Sequence, residues 1–233
     1  PKQVLDVHDG DSKKMRDTPH NHPTLVGTFD KCKYVLTSQA EERGDDKRAN
    51  VAIVERDFLY PLVEQGIINL TDEFTIIAEL KYDGISVEAD VSDHVISARS
   101  RGDTGEGVAS DITPLLEGYY FGNGISEVIG MKFEAIIQYQ SLFDINRIQN
   151  TTYKNCRTAM SGLTSNSFGR KFRDYITLVP IATDIIGDDG YPLDRLTELE
   201  FLNKYYSTGV PINYTVLTGN YYSILYQMKR YVE

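Results

Sequence analysis

The residues best suited to chemistry lie in one heptapeptide, Ala78-Glu79-Leu80-Lys81-Tyr82-Asp83-Gly84. In an extended chain alternate side chains share a face, so Glu79, Lys81 and Asp83 are expected to point one way, with Leu80 and Tyr82 turned into packing. An amine flanked by two carboxylates suits nucleophilic attack on an electron-poor centre, provided that it loses its proton. An ordinary lysine pKa of about 10.4 leaves only roughly one amine in a thousand neutral near pH 7, so burial or a nearby cation such as Mg²⁺ must supply the shift. The preceding residues Phe74, Ile76, Ile77 and Ala78 are apolar enough for a buried strand, which puts Lys81 at the exit of a core strand. By residue frequencies K-x-D-G recurs in about one chain in twenty of this length, and its bland form is a surface hairpin with a Lys–Asp ion pair and a turn glycine. The tetrapeptide therefore needs support from elsewhere in the chain.

Three further stretches supply it. Ser100-Arg101-Gly102-Asp103-Thr104-Gly105-Glu106-Gly107 sets an arginine in a glycine-rich loop suited to close approach of a phosphate or ribose. Lys132-Phe133-Glu134-Ala135-Ile136-Ile137 places a lone acid in an apolar strand, where it needs partners. Asn155-Cys156-Arg157-Thr158-Ala159-Met160-Ser161-Gly162 reads as a polar, small-residue loop with a second arginine. For each arginine the alternative is a surface salt bridge. His20 and His22 hint at a metal pair, but no carboxylate or cysteine stands nearby at zinc spacing, and Cys32 and Cys156 read as ordinary reduced thiols.

The elements that must position these residues are mainly strands. Residues 74–80, 85–91, 95–98 and 131–139 carry strand patterns and suggest an antiparallel sheet core, with a further strand at 175–186. Helices are expected at 49–65, ending at Gly66 and shortened by Pro61, and at 141–149. Another is opened by Pro192, carries Leu193, Leu196, Leu199 and Leu202 on one stripe and is closed by Gly209, and a last one covers 221–232. This is one α+β domain behind a polar, turn-rich start. With 233 residues, 41% hydrophobic and 25% charged, the chain can bury a proper core. It has no apolar run long enough to span a bilayer and no signal-peptide pattern at its start, so it is expected to be soluble, unexported and cytoplasmic. Thirty-four acids against twenty-four bases give a net charge of -10, a poor match to a chain that grips nucleic acid by bulk charge.

In this order the pieces resemble the adenylation (nucleotidyltransferase) domain of NAD⁺-dependent DNA ligases, over roughly residues 20–233, with 1–19 left as a polar N-terminal segment. Glu79 to Gly84 resembles that family's nucleophile motif E-L-K-x-D-G, and Ser100 to Val108 resembles its T-R-G-D-G-x-x-G-E-D-V loop, two residues shorter here. Glu134 falls at the last acid of E-V-R-G-E-V, and Asn155 to Gly162 is similar to N-P-R-N-A-A-A-G. Pro23-Thr24-Leu25-Val26 sits where the family has P-M-L-S-L, and Gly187 to Pro211 resembles its G-x-x-x-G-x-x-L-P stretch. Ser165 stands where a second arginine normally follows, with Arg170, Lys171 and Arg173 nearby.

The resemblance implies a nucleotidyltransferase (ATP-grasp-like) fold of antiparallel sheets flanked by helices. It implies that Lys81, beside Asp83, attacks the nucleotide's α-phosphorus and carries AMP as a phosphoramidate. Glu79 would read the adenine edge, with Leu25 and Val26 beside the ring. Arg101 and Arg157 would contact ribose and phosphate, while Asp83 and Glu134 hold a hydrated Mg²⁺ or the ribose. The family's D-G-x-V strand, OB fold, zinc module and helix-hairpin-helix repeats are not found in this sequence, nor is its N-terminal recognition piece for the nicotinamide mononucleotide half of NAD⁺. The expectation is therefore the adenylation portion or subunit of a split NAD⁺-dependent DNA ligase. A second ligase polypeptide would supply the remaining motifs and an OB fold, and nicked DNA would be held through other modules. The alternatives are an ATP-dependent polynucleotide ligase or related nucleotidyltransferase, and a non-catalytic binding subunit of the same fold.

Overall fold

The computed structural model describes residues 59–100, 110–165, 169–208 and 210–232. They fall into two compact units, one of residues 80–213 and a smaller one of 59–79 with 214–232. Both are mixed α+β units with antiparallel sheets, as the strand and helix patterns predict.

The larger unit is built on a five-stranded antiparallel sheet in the order β4-β3-β2-β5-β6. Its strands are β2 (Ile85–Val91), β3 (Val95–Ser100), β4 (Ser110–Asp111), β5 (Ile129–Ile137) and β6 (Ile176–Thr183). β2 alternates as predicted through Glu88, with Ile85 and Val87 buried and Ser86 and Glu88 half-buried; Asp90, expected on the polar face, is instead buried with Ala89 and Val91 and accepts the Ser97 hydroxyl at 2.6 Å. It sits between β3 and β5, with Val87 opposite Ser100 on one side and Phe133 on the other. Phe133 is fully buried and stacks on Phe121 at 5.6 Å, and Phe121 meets Tyr206 edge-on at 5.1 Å.

The helices of this unit are α2 (Thr113–Leu116), α3 (Tyr139–Gln149), α4 (Cys156–Ser165) and α5 (Arg195–Tyr205), with a 3₁₀ segment at Gly169–Tyr175. α4 packs against β5 and β2 through buried Ala159, Met160 and Leu163, and α5 packs against β6 with Leu199 and Leu202 buried. Each leucine so buried contributes about 1.5–3 kcal/mol. α5 does not begin at Pro192 as the sequence suggests. Asp194 caps it, accepting the Leu196 and Thr197 N–H groups at 3.1 and 3.2 Å, because a carboxylate satisfies first-turn donors that proline leaves open. Pro192 instead pairs with Ile186 in a short bridge, and Leu193 lies outside the helix. The proposed stop at Gly209 lies outside the described residues; Tyr206 closes α5 with its N–H on the Leu202 carbonyl.

In the smaller unit, α1 (Tyr60–Glu64) is followed by Gly66 at φ 68°, the left-handed conformation expected of a glycine just past a helix. β1 (Phe74–Glu79) pairs antiparallel with β7 (Tyr214–Gly219), and α6 (Tyr221–Val232) follows. β1 is thus one half of a two-stranded ribbon, with Phe74, Ile76, Ile77 and Ala78 only half-buried, and does not join the main sheet. The core of this unit is Leu59, Leu217, Tyr221 and Ile224. No helix among the described residues is long and apolar enough to cross a membrane.

Candidate active site

The segment of residues 79–84 begins where β1 ends. Glu79, opposite Tyr214, is the last residue of that strand, and residues 80–83 enter the larger unit without strand pairing before β2 starts at Ile85. The alternation expected to align Glu79, Lys81 and Asp83 therefore has no ladder to carry it past Glu79. Lys81 is solvent-exposed, so burial does not desolvate it, contrary to the expectation from the apolar run before it. Tyr82 is half-buried and donates its hydroxyl to the Pro211 carbonyl at 3.2 Å.

Gly84 is buried, and not because a turn demands it: its φ lies outside the left-handed region. A Cβ at this position would collide with the Ala135 carbonyl and come within 2.8 Å of Ile136 Cγ2. The K-x-D-G glycine thus serves a close backbone approach to β5. That approach lets the Gly84 N–H donate to Glu134 Oε1 at 3.0 Å.

Glu134 alternates with buried Phe133 and Ala135, which turns it to the other face of β5 beside Ser86 of β2 and Val179 of β6. Burial pushes its carboxyl above the ordinary range; the Gly84 N–H and the positive charges of Lys81, Arg157 and Lys132 oppose that rise. The lone acid of the apolar strand thus has its partners.

Arg157 reaches the same corner from α4. The stretch predicted as a loop is a helix, because Asn155 caps it, accepting the Thr158 N–H and hydroxyl at 2.8 Å each, and because Ala159, Met160 and Leu163 form a buried stripe. Small and polar residues concealed that stripe. Arg157 lies in the first turn and donates to Asp83 Oδ1 at 3.1 Å. Both side chains are more than half exposed, so the pair is worth about 0–1 kcal/mol and matters for placement, not stability.

One corner of the larger unit therefore gathers Lys81, Asp83, Gly84, Glu134 and Arg157. Cys156 also belongs here: its half-buried thiol is raised above the ordinary value by burial, with the Asp83 charge adding to it. Neither Cys156 nor Lys132 carried a spacing signal in the sequence. Arg101, Leu25, Val26, His20, His22 and Cys32 lie outside the described residues. Of the basic residues near the missing second arginine, Arg173 donates to the Glu117 carbonyl at 2.9 Å and Lys171 sits 5.5 Å from the Phe172 ring centre. Among the described residues no three His, Cys, Asp or Glu side chains converge as a metal cluster.

No protein-family model matches the chain, and a search of curated proteins finds no significant match. The likeness to ligase adenylation domains rests on the sequence motifs alone. Chemically, the corner offers an accessible amine, two carboxylates for a cation and a guanidinium for a phosphate or ribose.

Proposed function

We propose that the larger unit, with a nucleotidyltransferase fold, is the adenylation centre of an NAD⁺-dependent DNA ligase. The observation that carries this reading is the meeting of three motifs at the Lys81 turn: Asp83 bonded to Arg157, 74 residues on, and Gly84 bonded to Glu134, 50 residues on.

In this reading the neutral Lys81 Nζ attacks the α-phosphorus of NAD⁺. The N–P bond forms as the bond to the bridging pyrophosphate oxygen breaks, nicotinamide mononucleotide leaves, and the amine proton passes to solvent. The lysyl-AMP then yields its AMP to the 5′-phosphate of a nick. Phosphoryl transfer of this kind depends more on placed charge than on further covalent machinery. Arg157, set at the start of a packed helix with an exposed guanidinium, suits a forked contact with phosphate or ribose. Asp83 and Glu134 would hold Mg²⁺, which would supply positive charge beside the attacked phosphate. Arg101, Leu25 and Val26 complete the nucleotide contacts in this reading. The net charge of -10 leaves the grip on nicked DNA to other modules.

The test is incubation with NAD⁺ and Mg²⁺ followed by intact-mass and peptide mass spectrometry. An added AMP on Lys81 is expected, absent in Lys81→Ala and also in Lys81→Arg, since a guanidinium stays protonated. An adduct that persists in Lys81→Ala removes the assignment. A clear preference for ATP would move the chain to the ATP-dependent ligases, and no adduct with either nucleotide would leave a binding subunit.

A further inference from the structure

We propose that Asn203 and Tyr82 are positioning residues for Lys81, acting through residues 211–213; this deepens the adenylation reading and rests on it for the identity of the nucleophile. The basis is a chain of hydrogen bonds within the larger unit. Half-buried Asn203, on α5, grips Ile212 by both backbone groups: its Nδ2 donates to the Ile212 carbonyl at 3.1 Å and its Oδ1 accepts the Ile212 N–H at 2.8 Å. Ile212 is itself buried, which seats this residue in the core.

The residues on either side of Ile212 then hold the residues on either side of Lys81. Leu80 donates its N–H to the Asn213 carbonyl at 3.3 Å, and Tyr82 donates its hydroxyl to the Pro211 carbonyl at 3.2 Å. Lys81 is bracketed from both neighbours while its own side chain stays exposed. That division suits a nucleophile on a four-carbon stem. The stem must swing to reach a phosphorus, so the backbone it swings from must be fixed for the encounter to be frequent. The bracket rests on α5, which carries neither the K-x-D-G residues nor their partners Glu134 and Arg157.

The test compares wild type with Tyr82→Phe, which deletes one hydroxyl, and Asn203→Ala, which deletes both bonds to Ile212. Four quantities are read: the single-turnover rate of AMP attachment at saturating NAD⁺ and Mg²⁺, the NAD⁺ dissociation constant, the melting temperature, and amide hydrogen exchange in the peptide spanning residues 80–84. For Tyr82→Phe the attachment rate is expected to fall about tenfold or more, the order of loss that small misplacements produce. Its NAD⁺ affinity should stay within about twofold and its melting temperature should hold, while residues 80–84 exchange faster. Asn203→Ala should slow attachment further. An unchanged rate with unchanged exchange in Tyr82→Phe overturns the proposal, and so does a loss confined to NAD⁺ affinity. A wild-type chain that takes up no AMP sinks the nucleophile reading instead. Exchange in residues 80–84 then decides the bracket separately: faster in Tyr82→Phe upholds it, and unchanged removes it.

Discussion

Glu134 carries two demands at once, a hydrogen bond to the Gly84 N–H and a charge that burial disfavours. Because its folded carboxyl lies above the ordinary range, its protonated form is the one the fold prefers. The stability it contributes is therefore present below the ordinary carboxylate range and is lost as the pH rises through its raised folded value. Glu134→Gln keeps an acceptor for Gly84 and removes the charge. Its melting temperature should equal that of wild type below about pH 4 and exceed it at neutral pH, while AMP attachment is lost. A lower melting temperature for the variant at neutral pH would mean that the positive charges of Lys81, Arg157 and Lys132 outweigh the cost of burial. Of the residues meeting here, Lys81, Asp83, Glu134 and Arg157 were legible in the sequence because each stood out by type against its neighbours. Cys156, Lys132 and Asn203 were not, because their roles depend on elements that come together only in the fold.

At the scale of elements, the strands are the most legible in the sequence. β2, β3 and β5 alternate or run apolar in ways that only a half-buried or buried strand satisfies. α4 was hidden because its buried residues, Ala159, Met160 and Leu163, are spread among serine, threonine and glycine. Its start is set by one side chain. Asn155→Ala should cost about 1 kcal/mol in urea denaturation, and Asn155→Asp, which keeps the acceptor, should recover most of it. Loss of the cap should also weaken AMP attachment, since Arg157 is in the first turn. An Asn155→Ala protein as stable as wild type would show that packing against β5 alone fixes the helix. β7 is not legible in the sequence although Tyr214-Thr215-Val216-Leu217-Thr218 is rich in strand formers; with one face exposed and β1 its one partner among the described residues, its pattern is short and weakly polarised.

At the scale of the whole molecule, two features carry predictions. The smaller unit joins residues 59–79 to 214–232, so its core is assembled from the two ends of a long excursion through the larger unit. Ile224 is fully buried there, and Ile224→Ala should cost about 2–4 kcal/mol in denaturant unfolding. A loss under about 1 kcal/mol would mean that this core repacks freely. The second feature is charge. At -10, the chain should hold nicked duplex DNA no more tightly than about 1 µM at physiological salt, as measured by fluorescence anisotropy. Tighter binding would place the phosphate grip on this chain after all.

By itself the sequence determined the α+β class, the main strands, and which residue types stand out as suited to chemistry, because periodicity and side-chain chemistry are local properties. Only the tertiary structure decided that β1 leaves the main sheet to pair with β7, that Gly84 is a glycine for the sake of β5, and that Arg157 stands on a helix facing Asp83. Only it ties the backbone around Lys81 to Asn203 of α5. Each of those follows from which elements share a core, and a sum of long-range contacts leaves no mark on the spacing of neighbouring residues.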